Sequence, residues 1–197
     1  MSAEAVLAVA VLAGGEGSRI GGAKPLIRLG GKTLVDRAYD LASRWSSAAV
    51  VVVRSGDQLG SCQLPWIVDA AGIEGPLAGL AAALEWKLRQ GADALLTIPC
   101  DMPFLPYDLA RRLLSGIGDH HAAVASSGGH LHPVCGLWRK AAIYEFQRYC
   151  ASGRRSLKGL AEHLGFAEVE WPAEPSDPFF NINSPDDLAA AEAMVGD

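Results

Sequence analysis

The segment Leu12-Ala-Gly-Gly-Glu-Gly-Ser-Arg-Ile-Gly-Gly-Ala-Lys24 carries five glycines and two cations between an apolar run and the next element. Glycine lets a backbone take positive φ and come close to a ligand. Successive N–H groups can then converge on phosphate oxygens as an anion nest. Arg19 and Lys24 suit the charge of a polyphosphate, so the chemistry expected here is the holding of a nucleoside triphosphate. The plain alternative is a long connection, but loops this long are commonly functional.

Two common nucleotide motifs fail on spacing. A dinucleotide fingerprint begun at Gly15 and Gly17 needs glycine at position 20, where Ile20 stands and Gly21 comes one residue late. This disfavours NAD or FAD. Gly31-Lys32-Thr33 resembles the end of a Walker A loop, but Leu26 occupies the position of its first glycine. Gly30-Gly31 reads more simply as a turn before a helix, with Thr33 or Asp36 serving its N-terminus.

Two acids follow expected strands. Asp69 comes after Pro65–Val68 and Asp101 after Ala94–Ile98. Ligands of open α/β sheets bind at the carboxyl ends of strands. A carboxylate there can hold Mg²⁺, with substrate phosphates and water completing its shell. The competing role for Asp101 is a helix N-cap, weakened by Pro103 and Pro106; for Asp69 it is a turn residue. Gly75-Pro-Leu-Ala-Gly79 either lets a flat base approach the backbone or forms a tight helix entry. His130 and His132 could pair as metal ligands, but the favoured reading has His132-Pro133 opening a strand near a second substrate. Asn181 and Asn183 could orient a ligand or metal-bound water, or cap the last helix from Ser184.

These residues need a rigid frame. Val6–Ala13, Ala49–Val53, Pro65–Val68 and Ala94–Ile98 read as buried strands, and Ala122–Ala125, Val134–Trp138 and Ala167–Glu170 as further strands. Thr33–Trp45, Pro76–Arg89, Pro106–Leu114, Lys140–Cys150, Ser156–Leu164 and Pro185–Met194 read as helices. This alternation predicts an α/β fold: a single-domain Rossmann-like three-layer sandwich with a mostly parallel sheet, spanning residues 1–197. The chain has 197 residues, half of them hydrophobic, which suffices for one full core. Trp171–Pro178 reads as a surface loop. A net charge of −5 argues against generic nucleic-acid or anionic-membrane binding. Cys62, Cys100, Cys135 and Cys150 form no CxxC pair, so reduced thiols in a cytoplasmic protein are expected. Ala5–Ala13 lacks a basic flank and is too short to span a bilayer.

In order along the chain, Leu12-Ala-Gly-Gly15, Gly17-x-Arg19-x-Gly-Gly22-x-Lys24-Pro-Leu, Asp69, Gly75-Pro-Leu-Ala-Gly79, Cys100-Asp101-x-Pro, His132-Pro133 and Asn181-Ile-Asn-Ser-Pro-Asp-Asp-Leu188 resemble the molybdenum cofactor guanylyltransferases, the MobA family of the nucleotidyltransferase superfamily. The resemblance spans Val6 to Leu188. It implies transfer of GMP from GTP to the phosphate of molybdenum-bound molybdopterin, with release of pyrophosphate. By the family pattern Leu12, Ala13, Gly14, Gly15 and Lys24 contact the nucleotide, Asp69 touches the guanosine part, and Asp101 binds Mg²⁺. Lys24, Arg19 and Asp101 would carry the catalysis. Leu-Ala-Gly-Gly is the guanylyl form of the loop and Leu-Ala-Ala-Gly the cytidylyl form, so Gly15 and the closing Asn-x-Asn-Ser-Pro are read as favouring GTP over CTP. Arg154 and Arg155, poor company for a helix start, are expected either to bind the pterin phosphate or to be a solvated pair. Ala23 and Arg54 depart from the family's usual Asp and Asn. Partners implied are GTP, molybdopterin and molybdoenzyme apoproteins or their chaperones. The rival functions are a CTP-dependent or sugar-phosphate nucleotidyltransferase and a GTP-holding cofactor-delivery chaperone.

Overall fold

The computed structural model describes residues 6–15 and 24–196. The strands among them are β1 (Leu7–Leu12), β2 (Arg28–Leu29), β3 (Lys32–Thr33), β4 (Ala49–Val53), β5 (Trp66–Val68), β6 (Ala94–Pro99), β7 (Ala122–Ser127), β8 (His130–Arg139) and β9 (Phe166–Trp171). The helices are α1 (Leu34–Trp45), α2 (Pro76–Arg89), α3 (Leu109–Gly116), α4 (Ala141–Ala151), α5 (Leu157–Leu164) and α6 (Pro185–Gly196).

Seven strands form one sheet in the order β5-β4-β1-β6-β8-β7-β9. β1 pairs in parallel with β4 and β6, β4 with β5, and β7 with β9. β8 runs antiparallel to both neighbours, β6 and β7. All the other strands of the sheet therefore end on the same side. The chain leaves β1 toward β4 and β5, then returns to β6 on the far side of β1. That reversal is the topological switch point where such sheets open a ligand crevice.

The period of two along β1 divides the core into layers. Leu7, Val9 and Val11 pack with Val35, Ala38 and Ala42 of α1 and with Leu109 and Leu113 of α3. Ala8 and Ala10 face the other way, toward Leu77, Leu80 and Leu84 of α2, Phe146 of α4 and Leu160 of α5. Covered on both faces, the strand is a continuous apolar run, as expected. A smaller cluster of Leu29, Leu34, Ile182 and Ala191 docks α6 on the β2–β3 hairpin.

Some boundaries differ from the sequence expectation, for physical reasons. The helix expected from Pro106 begins at Leu109, because Pro106–Asp108 form a turn closed by Leu109 N–H donating to the Pro106 carbonyl at 3.0 Å. The strand expected from Val134 starts at His130 and passes through Pro133. Val124 pairs with Gly136 but Ala125 pairs with His132, so Pro133, Val134 and Cys135 bulge out of the ladder. A bulge is where a strand tolerates proline, which has no N–H to give. The β2–β3 hairpin, with two residues per strand, is too short for a periodicity to reveal. Trp171 is not part of a surface loop: it is the buried last residue of β9, and the loop starts after it. Thr33 and Asp36 share the start of α1, with Thr33 Oγ1 accepting from Asp36 N–H at 3.1 Å.

Candidate functional site

The strand ends converge on the switch point. Ala13 N–H donates to the Val52 carbonyl at 2.8 Å, and Cys100 N–H donates to the Leu12 carbonyl at 3.2 Å. Leu12 and Ala13 are thus held between β4 and β6, and the glycine loop leaves the sheet from a fixed base. Leu12, Gly14 and Gly15 line a cleft with Val52, Arg54, Asp69, Gly75, Pro76, Gly79, Pro99, Asp101 and Val134. Ala13 lies in the core beneath that cleft, so only its backbone is placed to serve a ligand.

Asp69 sits between two glycines. Its N–H donates to the Val53 carbonyl at 2.8 Å, which continues the β4–β5 pairing past the strand end. A Cβ on Gly14 would lie 2.8 Å from Asp69 Oδ2, and one on Gly79 would lie 3.3 Å from Asp69 Oδ1 and 3.2 Å from Leu12 Cδ2. Burial pushes the Asp69 carboxyl above its ordinary pKa, and the Arg54 guanidinium offsets part of that. Gly75 takes φ 69°, a conformation L side chains rarely adopt, and Pro76 follows at the first turn of α2. The Gly75–Gly79 segment is thus a tight helix entry that also leaves room beside Asp69.

Position 14 also corrects the reading of base selectivity. Aligned residue by residue, Leu-Ala-Gly-Gly and Leu-Ala-Ala-Gly differ at the third place, which is Gly14 rather than Gly15. The two positions also differ in space: a Cβ on Gly14 would meet Asp69, whereas a Cβ on Gly15 meets no described heavy atom within 4 Å.

Lys24 and Asp101 meet. Lys24 Nζ lies 2.5 Å from Asp101 Oδ2, with both side chains mostly buried. The same ammonium donates to Asn183 Oδ1 at 2.8 Å. Ile182 N–H donates to the Asp101 carbonyl at 2.9 Å, which ties the segment before α6 to the turn after β6. Asn183 does not cap α6. That task falls to Ser184 and Asp187: Ser184 Oγ accepts from Asp187 N–H, and Asp187 Oδ2 accepts from the N–H groups of Asn183 and Ser184. Those bonds hold the Asp187 carboxyl below its usual pKa.

Asp101 Oδ1 and Asn181 Oδ1 are buried with no hydrogen-bond partner among the described residues. Orphaned buried acceptors are costly and call for an explanation. No group of three or more His, Cys, Asp or Glu among the described residues could hold a metal unaided. A single carboxylate with a free oxygen instead fits a hard cation that takes its other ligands from phosphates and water. Asp101 is a turn residue at the strand end and caps no helix.

Other expected residues have different places. Arg19 lies outside the described residues. Arg154 and Arg155 line a separate concavity with Tyr149, Ser156, Gly159 and Glu162. Arg155 reaches Glu74 at 2.9 Å, just before Gly75, so it touches the rim of the main cleft. His130 is exposed, and His132 bonds to Ser127 rather than pairing with His130. All four cysteines are free, and burial pushes the Cys100 and Cys135 thiols far up, which makes them poor nucleophiles. Val52, Pro99 and Val134 were not expected in the cleft. The first two belong to the ends of strands already located, Val52 as the next-to-last residue of β4 and Pro99 as the last of β6, whereas Val134 reaches it through the β8 bulge.

The sequence model of the MobA-like NTP transferase domain matches residues 9–168. A molybdenum cofactor guanylyltransferase from Cereibacter sphaeroides is 39% identical over 187 residues, covering 94% of this chain and 95% of that protein. One from Rhodopseudomonas palustris is 40% identical over 193 residues, covering 94% and 90%. Among solved structures, molybdopterin-guanine dinucleotide biosynthesis protein A from Archaeoglobus fulgidus superposes with a TM-score of 0.75 at 27% identity, covering 95% of this chain and 98% of that one. No helix among the described residues is long and apolar enough to cross a membrane.

Proposed function

From membership of the MobA-like NTP transferase family, to which this chain belongs, we propose that it is a molybdenum cofactor guanylyltransferase acting as one nucleotidyltransferase domain over residues 1–197. It transfers GMP from GTP to the phosphate of molybdenum-bound molybdopterin. The product is the guanine dinucleotide form of the cofactor, and pyrophosphate is released. The observation that carries this reading is the Oδ1 of Asp101, orphaned among the described residues, beside Lys24 and in one cleft with Gly14 and Gly15.

Roles follow from position. The backbone of Leu12, Ala13, Gly14 and Gly15 receives the nucleotide, and Asp69 touches its guanosine part. Lys24 and Arg19 neutralise the triphosphate. Asp101, helped by Asn183 through Lys24, would hold Mg²⁺. When bound, that cation withdraws charge from the phosphate oxygens and orients them. A pterin phosphate oxygen attacks the α-phosphorus of GTP, a new P–O bond forms, and the bond to the bridging oxygen breaks. Pyrophosphate leaves with that electron pair. The nucleophile is already ionised near neutrality, so no strong general base is needed. The chain's own contribution is positioning and charge neutralisation. Arg155 reaches the rim through Glu74 and would exchange Glu74 for the acceptor's phosphate, with Arg154 beside it in the neighbouring concavity. A cytoplasmic location and hand-over to molybdoenzyme apoproteins or their chaperones complete the reading.

The test is pyrophosphate release from each of the four NTPs with molybdopterin, with and without Mg²⁺. Release with GTP alone, dependent on Mg²⁺, is expected. Preference for CTP would replace the base assignment, and GTP binding without any release would replace transfer with a carrier role.

A further inference from the structure

The loop from Asp177 to Ser184 brings Asn183 over Lys24 and Ile182 against Asp101. Its far end is anchored by a hydrogen-bonded group that the reaction itself does not use. Ser127, the last residue of β7, is fully buried. Its Oγ donates to Asp177 Oδ1 at 2.8 Å and lies 2.8 Å from His132 Nε2. A hydroxyl has one proton and a carboxylate can only accept, so that proton goes to Asp177. His132 Nε2 must then carry hydrogen and donate to Ser127 Oγ. Ser127 is therefore no nucleophile, since its proton is held by a carboxylate, only a weak base, and its side chain is closed off from solvent.

The anchor continues into the loop. Asp177 Oδ1 also accepts from Phe179 N–H at 2.9 Å, and the Asp177 carbonyl accepts from Phe180 N–H at 3.2 Å. Phe179 lies flat on His132, with ring centroids 4.5 Å apart and planes 7° apart, and meets Trp171 edge-on. The loop is thus gripped at Asp177–Phe179 by the β7–β8 hairpin and at Ile182 by the turn that carries Asp101. Between the two grips lies Asn181, whose buried Oδ1 has no partner among the described residues. A loop held at one end only would have to be ordered each time its asparagines were needed, at a cost in conformational entropy.

We infer that Asp177 and Ser127 are positioning residues for the proposed transfer: they set the loop so that Asn183 holds Lys24 against Asp101. This inference rests on the function proposed above, and its test is built so that the two can fail separately. The variants are Asp177→Ala, which removes the acceptor, and Asp177→Asn, which keeps an Oδ1 for Ser127 and Phe179. Hydrogen exchange at the Phe179 and Ile182 amides and Mn²⁺ binding in the presence of GTP, read by electron paramagnetic resonance without an acceptor, need no turnover. In Asp177→Ala, exchange at both amides should accelerate while β1 and β6 stay protected. Its Mn²⁺ affinity and kcat should each fall about 10- to 100-fold with little change in the KM for GTP, the usual scale for losing an outer partner of a metal site. Asp177→Asn should restore most of each quantity. If Asp177→Ala does not fold, Ser127→Ala removes the bridge without substituting any loop residue and should show the same pattern. Unchanged exchange at Ile182 in the folded variants, or equal damage from Asn and Ala, would overturn the anchor. Absence of guanylyl transfer by the wild-type chain, with the exchange pattern as expected, would instead overturn the function.

Discussion

Gly14 and Asp69 divide one space between them: a Cβ on Gly14 would stand 2.8 Å from Asp69 Oδ2. Gly14→Ala is expected to displace Asp69 or the loop, at about 1–3 kcal/mol in stability, the usual scale for overpacking. Steady-state kinetics should show a raised KM for GTP and a larger share of turnover with CTP. Gly15→Ala, with no described atom near, should change stability far less. Equal effects at the two positions would remove the steric account of selectivity.

Asp69 also links pH to stability. Burial raises its folded pKa, with Arg54 opposing. The folded chain then holds the proton more tightly than the unfolded chain, whose carboxyl titrates at about 3.9. The stability this confers is present below that value and lost as pH rises through the folded pKa, so at neutral pH the ionised group is a cost. Asp69→Asn should raise the melting temperature at pH 7, and the gain should shrink toward pH 4. The same variant should lose a charged hydrogen bond to GTP and bind it about 10- to 100-fold more weakly. A lower melting temperature at pH 7 would mean the carboxylate is stabilising where it stands.

Asp101→Ala should stay folded and lose at least about 100-fold in pyrophosphate release, the scale of removing one group that stabilises transition-state charge. Excess Mg²⁺ should not restore it. Circular dichroism checks the fold, and normal transfer by this variant would end the metal role. Chelation of divalent ions should have a comparable effect on the unaltered chain.

Away from the cleft, Trp138 Nε1–H donates to Thr97 Oγ1 at 3.0 Å, and Thr97 Oγ1 in turn reaches the Gly136 carbonyl at 3.2 Å, all in a buried setting. Thr97→Val keeps the shape but strands the indole N–H. Urea unfolding should record a loss of about 1–3 kcal/mol, with turnover per folded molecule unchanged.

What sequence could and could not disclose follows from distance along the chain. The strand before the glycine loop, Asp69 and Asp101 are legible because each is a local signal: an apolar run, then a polar or glycine stop. α2 is legible to the residue because Gly75-Pro76 opens it. The contact of Lys24 with Asn183 spans 159 positions and that of Ser127 with Asp177 spans 50, and no local period reports on either. Val134 is hidden for another reason: it reads as the start of a strand, and only the bulge turns it out of the ladder toward the cleft. Gly14 was present in the motif, but its importance over Gly15 depends on which way each Cβ would point.

The bulge at Pro133–Cys135 has a consequence for how such a cleft can diversify. The half that carries Leu12, Asp69 and Asp101 rests on the parallel ends of β1, β4, β5 and β6, where a change of length would shift the whole ladder. The other half rests on a hairpin whose register already slips beside the cleft. Residues can be gained or lost there while Leu12, Asp69 and Asp101 keep their places. On the proposed function, the hairpin side could be refitted to a new acceptor while the parallel side kept the same donor.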